Sequence, residues 1–244
     1  MIYSPKPLIP VNPEGWDELA SSLLIPSTAG GDRGRPPIAP HADKYMLLPE
    51  KHHGSYSYPD LLVETEITHL GSNWDQTHEA LKQDNAYMLT IRQFADLLTI
   101  LKSGRVYNGA GNLIDTSKVN AMLEDIITVR PPYRAEWLDA KFSKKKKKWY
   151  ITYHYLAGNS IEEELEDCLR KNRTPGINLD SWLASATRQG LPSPSTPSGS
   201  LYYLVPQDGT VARFYAGSGG ASLGCDWGPR GSDSGLGVRR ARKK

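Results

Sequence analysis

Leu201–Lys244 begins LYYLVPQDGTVARFYAG (201–217), continues SGGASLGCDWGPRGSDSG (218–235) and closes LGVRRARKK (236–244). Its middle is two interleaved sets. Phe214, Ala216, Ser218, Ala221, Leu223, Cys225, Trp227, Pro229, Ser232, Ser234, Leu236 and Val238 have the character of a scaffold. Tyr215, Gly217, Gly219, Gly220, Ser222, Gly224, Asp226, Gly228, Arg230, Gly231, Asp233 and Gly235 fall between them. Near-alternation is the period of a strand, with one face turned in and one turned out. The outward set, a mixture of Gly, Asp, Ser, Arg and Tyr, is poor strand material. A segment that keeps a packing face and accepts almost anything on the other has the pattern of a display surface.

A compositional gap points the same way. Gly209–Arg239 contains no Glu, Gln, Lys or Met, although Lys and Glu are common elsewhere. Asn codons whose two adenines are replaced at random yield Tyr, Gly, Ser, Asp, Arg, Cys and Phe among others. They never yield Glu, Gln, Lys, Met or Trp. Every residue of the interleaved set is reachable in this way. The plainer reading, that Gly/Ser-rich loops simply lack long side chains, accounts for the composition equally well.

The end of the chain adds a resemblance. Leu236-Gly237-Val238-Arg239, with Arg242 after it, is similar to the G-[FV]-R-x-x-R closing strand of the formylglycine-generating-enzyme type of C-type lectin fold. The interleaved stretch before it resembles the variable region of diversity-generating retroelement proteins, with the closest match among archaeal and candidate-phylum members. In that family, adenine-directed mutagenic reverse transcription rewrites C-terminal codons. The likeness covers Leu201–Lys244 and, more weakly, Tyr87–Phe142. There MLTIRQFADLLTILKSG (88–104) resembles the first helix of the fold, and Glu136-Trp137 its E-W motif, whose Trp packs into the core.

Composition sets the bounds. The 244 residues allow one large domain or a domain with an arm. With 39% apolar and 23% charged residues, a sizeable core is expected. A net charge of +2 is too small to argue for nucleic acid or membrane. Two distant cysteines, Cys168 and Cys225, make neither a disulfide framework nor a zinc site and suit a reducing compartment. No apolar run approaches about 18 residues, and prolines interrupt MIYSPKPLIPVNPEGW where a signal peptide needs a continuous apolar stretch. The expected location is therefore cytoplasmic, or outside the cell by an unrecognised route.

In chain order, residues 1–44 form a Pro/Gly-rich arm with one short helix at Asp17–Leu24, expected to pack through Ile2, Tyr3, Leu8, Ile9, Val11 and Trp16. Tyr45–Leu48 and Leu61–Ile67 are expected strands. Asn73–Lys82 is expected to make a helical turn or two. Thr90 is placed to cap a helix with Ile91, Phe94, Leu97, Leu98 and Leu101 on one stripe, stopped by Gly104. Thr116 or Ser117 is expected to cap a second, with Val119, Met122, Leu123, Ile126 and Ile127 as its core stripe. Trp149–Tyr155 alternates like a strand. Ile161–Lys171 leads with acids and trails with bases, as an amphipathic helix does. Asp180 is expected to cap Ser181–Arg188.

Most chemistry is excluded by its missing signature. His52-His53, with His41, His69 and His78 near in sequence, lacks ligand spacing, so surface histidines and no metal are expected. There is no G-x-S-x-G, P-loop, H-E-x-x-H or EF-hand pattern. A formylglycine-generating enzyme uses two reactive cysteines near its C-terminus, whereas here only Cys225 lies in that region. The resemblance therefore does not carry the activity, and Cys225 is expected to be a small buried hydrophobe. Lys144–Lys148 beside aromatics is a candidate phosphate grip, but a solvated turn explains it more simply.

The expectation is an α+β chain: a C-type lectin-like domain over 45–244, with two or more helices on a small antiparallel sheet. Strands are placed near Leu201–Val205, Val211–Phe214, Ser222–Cys225 and Leu236–Arg242, and a variable region over about 211–239 displays its loops on one exposed face. The resemblance implies a non-enzymatic, hypervariable binding protein that recognises a macromolecular ligand, a protein in the first place, without cofactor. Its contact residues are the twelve interleaved positions, with Trp227 as a scaffold aromatic beside them. Tyr215, Trp227 and Arg230 are of the types that dominate interfaces. Asp226 and Asp233 alone fall short of the oxygens calcium prefers. The rivals are a catalytic member of the same superfamily and a nucleic-acid-associated protein using Lys144–Lys148, Arg239, Arg240, Arg242, Lys243 and Lys244.

Overall fold

The helix expected within MLTIRQFADLLTILKSG starts and stops for local reasons. A computed structural model, which describes residues 41–156 and 158–244, places it at Ile91–Ser103. The Thr90 side chain accepts from the Gln93 N–H, and the Thr90 N–H donates back to Gln93 Oε1, a reciprocal capping box. Gly104 ends the helix at φ 70°, where a side chain would be strained. The Thr-x-x-Gln spacing in the sequence is therefore a cap, and Phe94 after it packs 5.1 Å, centroid to centroid, from Phe214. The arm up to residue 40, with the short helix expected at Asp17–Leu24, lies outside the described residues; Ala42–Lys44 is a single 3-10 turn.

Eighteen helices and strands follow one another in the described residues. They are β1 (Tyr45–Leu48), β2 (Lys51–His53), β3 (Tyr56–Tyr58), β4 (Leu61–Glu64), α1 (Trp74–Gln83), β5 (Tyr87–Met88), α2 (Ile91–Ser103) and α3 (Thr116–Ile127). Then come β6 (Arg134–Lys145), β7 (Lys148–His154), β8 (Ser160–Glu164), β9 (Arg173–Ile177) and α4 (Leu179–Ser185). The chain closes with β10 (Leu201–Leu204), β11 (Val211–Gly217), β12 (Gly220–Trp227), β13 (Leu236–Gly237) and β14 (Arg240–Lys243). The class is α+β with mostly antiparallel sheets. No helix among the described residues is long and apolar enough to cross a membrane.

Two sheets carry the architecture. One has the order β1-β4-β14-β5; the other runs β8-β7-β6-β11-β12-β10-β9, with β13 added beside β6. The larger sheet is mostly antiparallel, as expected, but bigger than the small sheet expected and with two parallel pairings. β10 pairs with β12 in parallel, and so does β13 with β6. The first is a consequence of the hairpin. β11 runs back from β10, and a two-residue connection at Ser218-Gly219 returns β12 into the space between them. β12 must then point the same way as β10.

The main core lies where α2 and α3 cover one face of the larger sheet. Phe94, Leu97, Leu98, Val119, Phe142, Tyr203, Phe214, Leu223 and Cys225 are all buried in it. A second, smaller cluster joins Trp74 and Leu81 of α1 to Trp137, Val211, Leu236 and Val238. Trp137 is buried as expected, and its indole N–H donates to the Ser72 carbonyl at 3.0 Å.

Other expectations were displaced. α3 is capped by Asp115, one residue before the residues expected, and α4 by Asn178 instead of Asp180. Ile161–Lys171 is not a helix: its first residues are strand β8. The acids that suggested a helix N-terminus instead face bases on neighbouring strands and on the loop after α4. Glu162 pairs with Lys145, Glu164 with Lys148 at 2.7 Å, and Glu163 with Arg188 at 2.7 Å. Cys168 lies in the buried loop that follows.

Two buried charge clusters tie the elements together, one between the two sheets and one between α2 and the β2–β3 hairpin. Arg239 donates to both carboxylate oxygens of Glu136, at 3.1 and 2.7 Å, and to the carbonyls of Glu64 and Thr65. Asp96 on α2 receives Arg92 at 2.9 Å, Lys51 at 3.1 Å, His53 at 2.8 Å and Tyr58 at 2.7 Å. Burial alone would push the Asp96 carboxyl up. Arg92, the Tyr58 hydrogen bond, Lys51 and His53 outweigh it and hold the carboxyl below its ordinary range.

Arg239→Ala leaves Glu136 buried without a partner, and is expected to lower the unfolding free energy in urea by about 3–5 kcal/mol. A loss like that of an exposed pair, under about 1 kcal/mol, would contradict this account. The depressed Asp96 pKa gives a second prediction. Its stabilisation is complete above the unfolded-chain value, about 3.9, and is lost as pH falls through the lower folded value. The stability gap between wild type and Asp96→Asn should be constant from neutral pH to about pH 5 and shrink below about pH 4.

Candidate ligand-binding face

The hairpin of β11 and β12 resolves the interleaved stretch into two faces. Phe214 stands opposite Leu223 and Ala216 opposite Ala221, on the core side. Arg213 stands opposite Gly224, Tyr215 opposite Ser222 and Gly217 opposite Gly220, on the other. β6 continues that outer face through Ala135, beside Tyr215, and β10 through Tyr202, beside Ser222. The outer face carries a groove of about 460 Å³. Seven of the twelve interleaved residues line it: Tyr215, Gly217, Gly219, Gly220, Ser222, Asp233 and Gly235.

The other five lie around it. Gly224 is buried beneath the Tyr215 ring, where an added Cβ would stand 3.2 Å from Cε1. Asp226 is half-buried. Gly228 and Arg230 are exposed, and Gly231 packs on the Trp227 indole. Trp227, taken as scaffold, is itself part of the groove wall. The register slips between Arg213 and Val211, so that Gly224 and Trp227 stand opposite residues two apart. This bulge breaks the period of two and brings Trp227 to the outer side. Beyond it Ser232 and Ser234, also assigned to the scaffold, are exposed.

Six groove residues were not foreseen: Tyr133, Arg134, Ala135, Tyr202, Arg213 and Ser218, the last assigned to the scaffold. Arg213 is central. Its guanidinium lies 4.3 Å from the Tyr215 ring centroid and 3.5 Å from that of Trp227. Burial pushes the pKa of this guanidinium down, against the opposing pull of Tyr215, Asp226 and Asp233. A signal for Arg213 was present, since it precedes Tyr215 by two and so shares its strand face. Tyr202 was marked likewise by the buried Leu201 and Tyr203 on either side. Tyr133 and Arg134 come from a distant segment and carry no such mark.

Buried polar atoms on this face lack partners. Arg213 Nε, Ser222 Oγ, Asp226 Oδ1 and Trp227 Nε1 make no hydrogen bond. Such orphans are uncommon in folded proteins and each carries a desolvation cost. Three of them line the groove and Asp226 lies beside it, a surface with directional demands: donors from Arg213 and Trp227 near an acceptor in Asp226.

No known family model, curated protein or solved structure matches this chain. The geometry is therefore what bears on function.

The two cysteines are free and buried. Burial raises both thiols, Cys168 to about 11 and Cys225 well above its ordinary value. The lysine run forms the β6–β7 turn, where Lys145 and Lys148 face glutamates and Lys144 lies over Trp149. Elsewhere, His78, Asp139 and His154 converge from three separate elements. Reading residues near in sequence could not find this group, because its members are 61 and 15 positions apart.

The glycines divide by the space above them. Gly219 and Gly228 have room, the former 3.6 Å from the Tyr202 ring and the latter with nothing within 4 Å. A Cβ on Gly235 would come within 2.3 Å of the Tyr133 carbonyl, and Gly220 sits at φ 137°. Gly219→Ser and Gly228→Ser should change stability by less than about 0.5 kcal/mol, whereas Gly235→Ala should lower the thermal midpoint by several degrees. Scanning calorimetry of the three variants checks this, and equal midpoints would refute it.

Proposed function

We propose that this chain is a hypervariable binding protein with a C-type lectin type of fold, diversified by a retroelement, that recognises a macromolecular ligand, a protein first of all, through the β11–β12 face. The observation that carries the reading is the sorting of the interleaved residues. One set, Phe214, Ala216, Leu223 and Cys225, holds the core. Seven residues of the other set line a groove where side chains change without touching that core. Stability and specificity then rest on different residues, which is what a surface rewritten copy by copy requires.

The groove chemistry agrees with a protein ligand. Tyr133, Tyr202, Tyr215 and Trp227 give rigid aromatic area, and Arg213 a stacked, incompletely bonded guanidinium. Tyr, Trp and Arg dominate interface energetics. The proposed fold draws support from Glu136 of the E-W motif meeting Arg239 of the closing G-V-R motif. The rival readings draw less. Thiols held high by burial make poor nucleophiles, and the lysine run is partly occupied by glutamates.

The direct experiment is to sequence the several kilobases around the gene. The expected result is a reverse-transcriptase frame and a near-copy of the segment encoding 211–239, differing only at adenines of the copy. The differing codons should include 215, 217, 219, 228, 230 and 233 and spare 235. Finding neither element would remove the retroelement from this account, and differences concentrated in Phe214, Leu223 or Cys225 codons would overturn the assignment of faces.

A further inference from the structure

A cleft of about 540 Å³ opens beside α1, lined by Trp74, His78, Glu79, Gln83 and His154. At its floor His78, Asp139 and His154 bring one ligand atom each within 4.8 Å of one another. We propose that these three residues bind a divalent transition-metal ion, zinc in the first place, with a fourth coordination position open to the cleft.

The construction begins at Asp139. The ladder between β6 and β11 shifts at this point: Val211 stands opposite Lys141, but the next residue, Ala212, opposite Leu138. Two extra residues, Asp139 and Ala140, are thus bulged out of β6, and the Asp139 N–H turns to the Leu89 carbonyl at 2.8 Å. Bulges re-aim side chains, and here the carboxylate ends up with no solvent exposure. Its orientation is fixed by the His154 backbone N–H, which donates to Oδ2 at 2.7 Å. A second interaction that holds a ligating carboxylate in place is a regular part of metal sites.

The two imidazoles approach the same oxygen. His154 Nδ1 lies 3.1 Å from Asp139 Oδ1, and His78 Nε2 lies 3.3 Å from it. Zinc bonds to nitrogen and oxygen of about 2.0–2.1 Å at tetrahedral angles place neighbouring ligand atoms about 3.3 Å apart. His78 Nε2 is moreover buried and makes no hydrogen bond, despite its distance from the carboxylate. Its one polar neighbour recorded among the described residues is Asp139 Oδ1, at 3.3 Å, the spacing of two ligand atoms around a shared central point.

The donor set favours this chemistry over other cations. Two imidazoles and one carboxylate suit zinc and its transition-metal neighbours, whereas calcium and magnesium take mostly oxygen. The buried charge also calls for a cation, and neither Lys nor Arg is paired with Asp139 among the described residues. Three protein ligands with an open side are the form that accepts a water or an incoming donor, unlike the closed four-ligand structural form. Trp74 packs edge-on to His78, with centroids 4.1 Å apart, and so supplies a reporter.

The test uses the full chain, stripped with a chelator and titrated with Zn²⁺ by calorimetry and with Co²⁺ by visible absorption. One equivalent of zinc should bind saturably, and cobalt should develop the intense bands of a four-coordinate site. Outer-shell changes alone weaken metal sites about 10–100-fold, so His78→Ala and His154→Ala should each weaken binding by about 100-fold or more. The double variant His52→Ala/His53→Ala should bind as wild type does. Quenching of tryptophan emission by Co²⁺ should be reduced in Trp74→Phe. His78 sits at the cleft surface, so its variant tests the site even if loss of His154 unfolds the chain. Absence of saturable zinc uptake by wild type would overturn the proposal, as would undiminished affinity in a folded His78→Ala.

Discussion

Arg239 and Glu136 close this fold. The arginine follows β13 and precedes β14, and the glutamate sits in β6, at the centre of the larger sheet. The same guanidinium also reaches the carbonyls at the end of β4. One side chain thus fixes both sheets to each other at a point where neither charge reaches water. Such a pair contributes little in net terms compared with apolar residues of equal size, yet losing one member is expensive. Its worth is in geometry, since a bidentate fork tolerates one arrangement of three segments. From that point β13 lies beside β6, β14 enters between β4 and β5, and the hairpin of β11 and β12 is held against β6.

The outer face of the β11–β12 hairpin depends on this arrangement. β6 and β10 supply its flanks, so that Tyr133 and Tyr202 stand beside residues remote from them in the chain. Its inner side is the main core, where Phe214 meets Phe94 of α2. The outer residues of the hairpin therefore change environment only at their own tips. Where the outer face also has to pack, as at Gly235 under the Tyr133 carbonyl, that freedom ends.

What the sequence made legible was local. Thr90, Gln93 and Gly104 announce α2 because caps act within a few residues, and the apolar repeat of Phe94, Leu97, Leu98 and Leu101 follows from helix periodicity. The core half of β11 and β12 was legible for the same reason at a period of two. Ile161–Lys171 was not, because a run of acids before bases looks the same whether it faces a helix dipole or lysines on a neighbouring strand. Trp227 was assigned to the scaffold because one bulge, invisible in composition, shifts the count. Arg213 was overlooked although the period included it. His78, Asp139 and His154 come together only through the packing of α1 on β6 and β7, and no spacing in the chain records that.

The position of Arg239 makes the domain sensitive to reading frame. At the open outer positions of 211–235 a substitution alters a tip, but an insertion or deletion of one nucleotide replaces everything after it. The encoded chain then lacks the arginine, lacks the strand that fills the gap between β4 and β5, and keeps Glu136 buried with an unanswered charge. Two unpaired strand edges are left for other chains to find. Such a product is recognisable as misfolded by its own physics, whatever residues its β11–β12 face carries. Folding of the domain therefore requires an intact reading frame as far as Arg239 and β14.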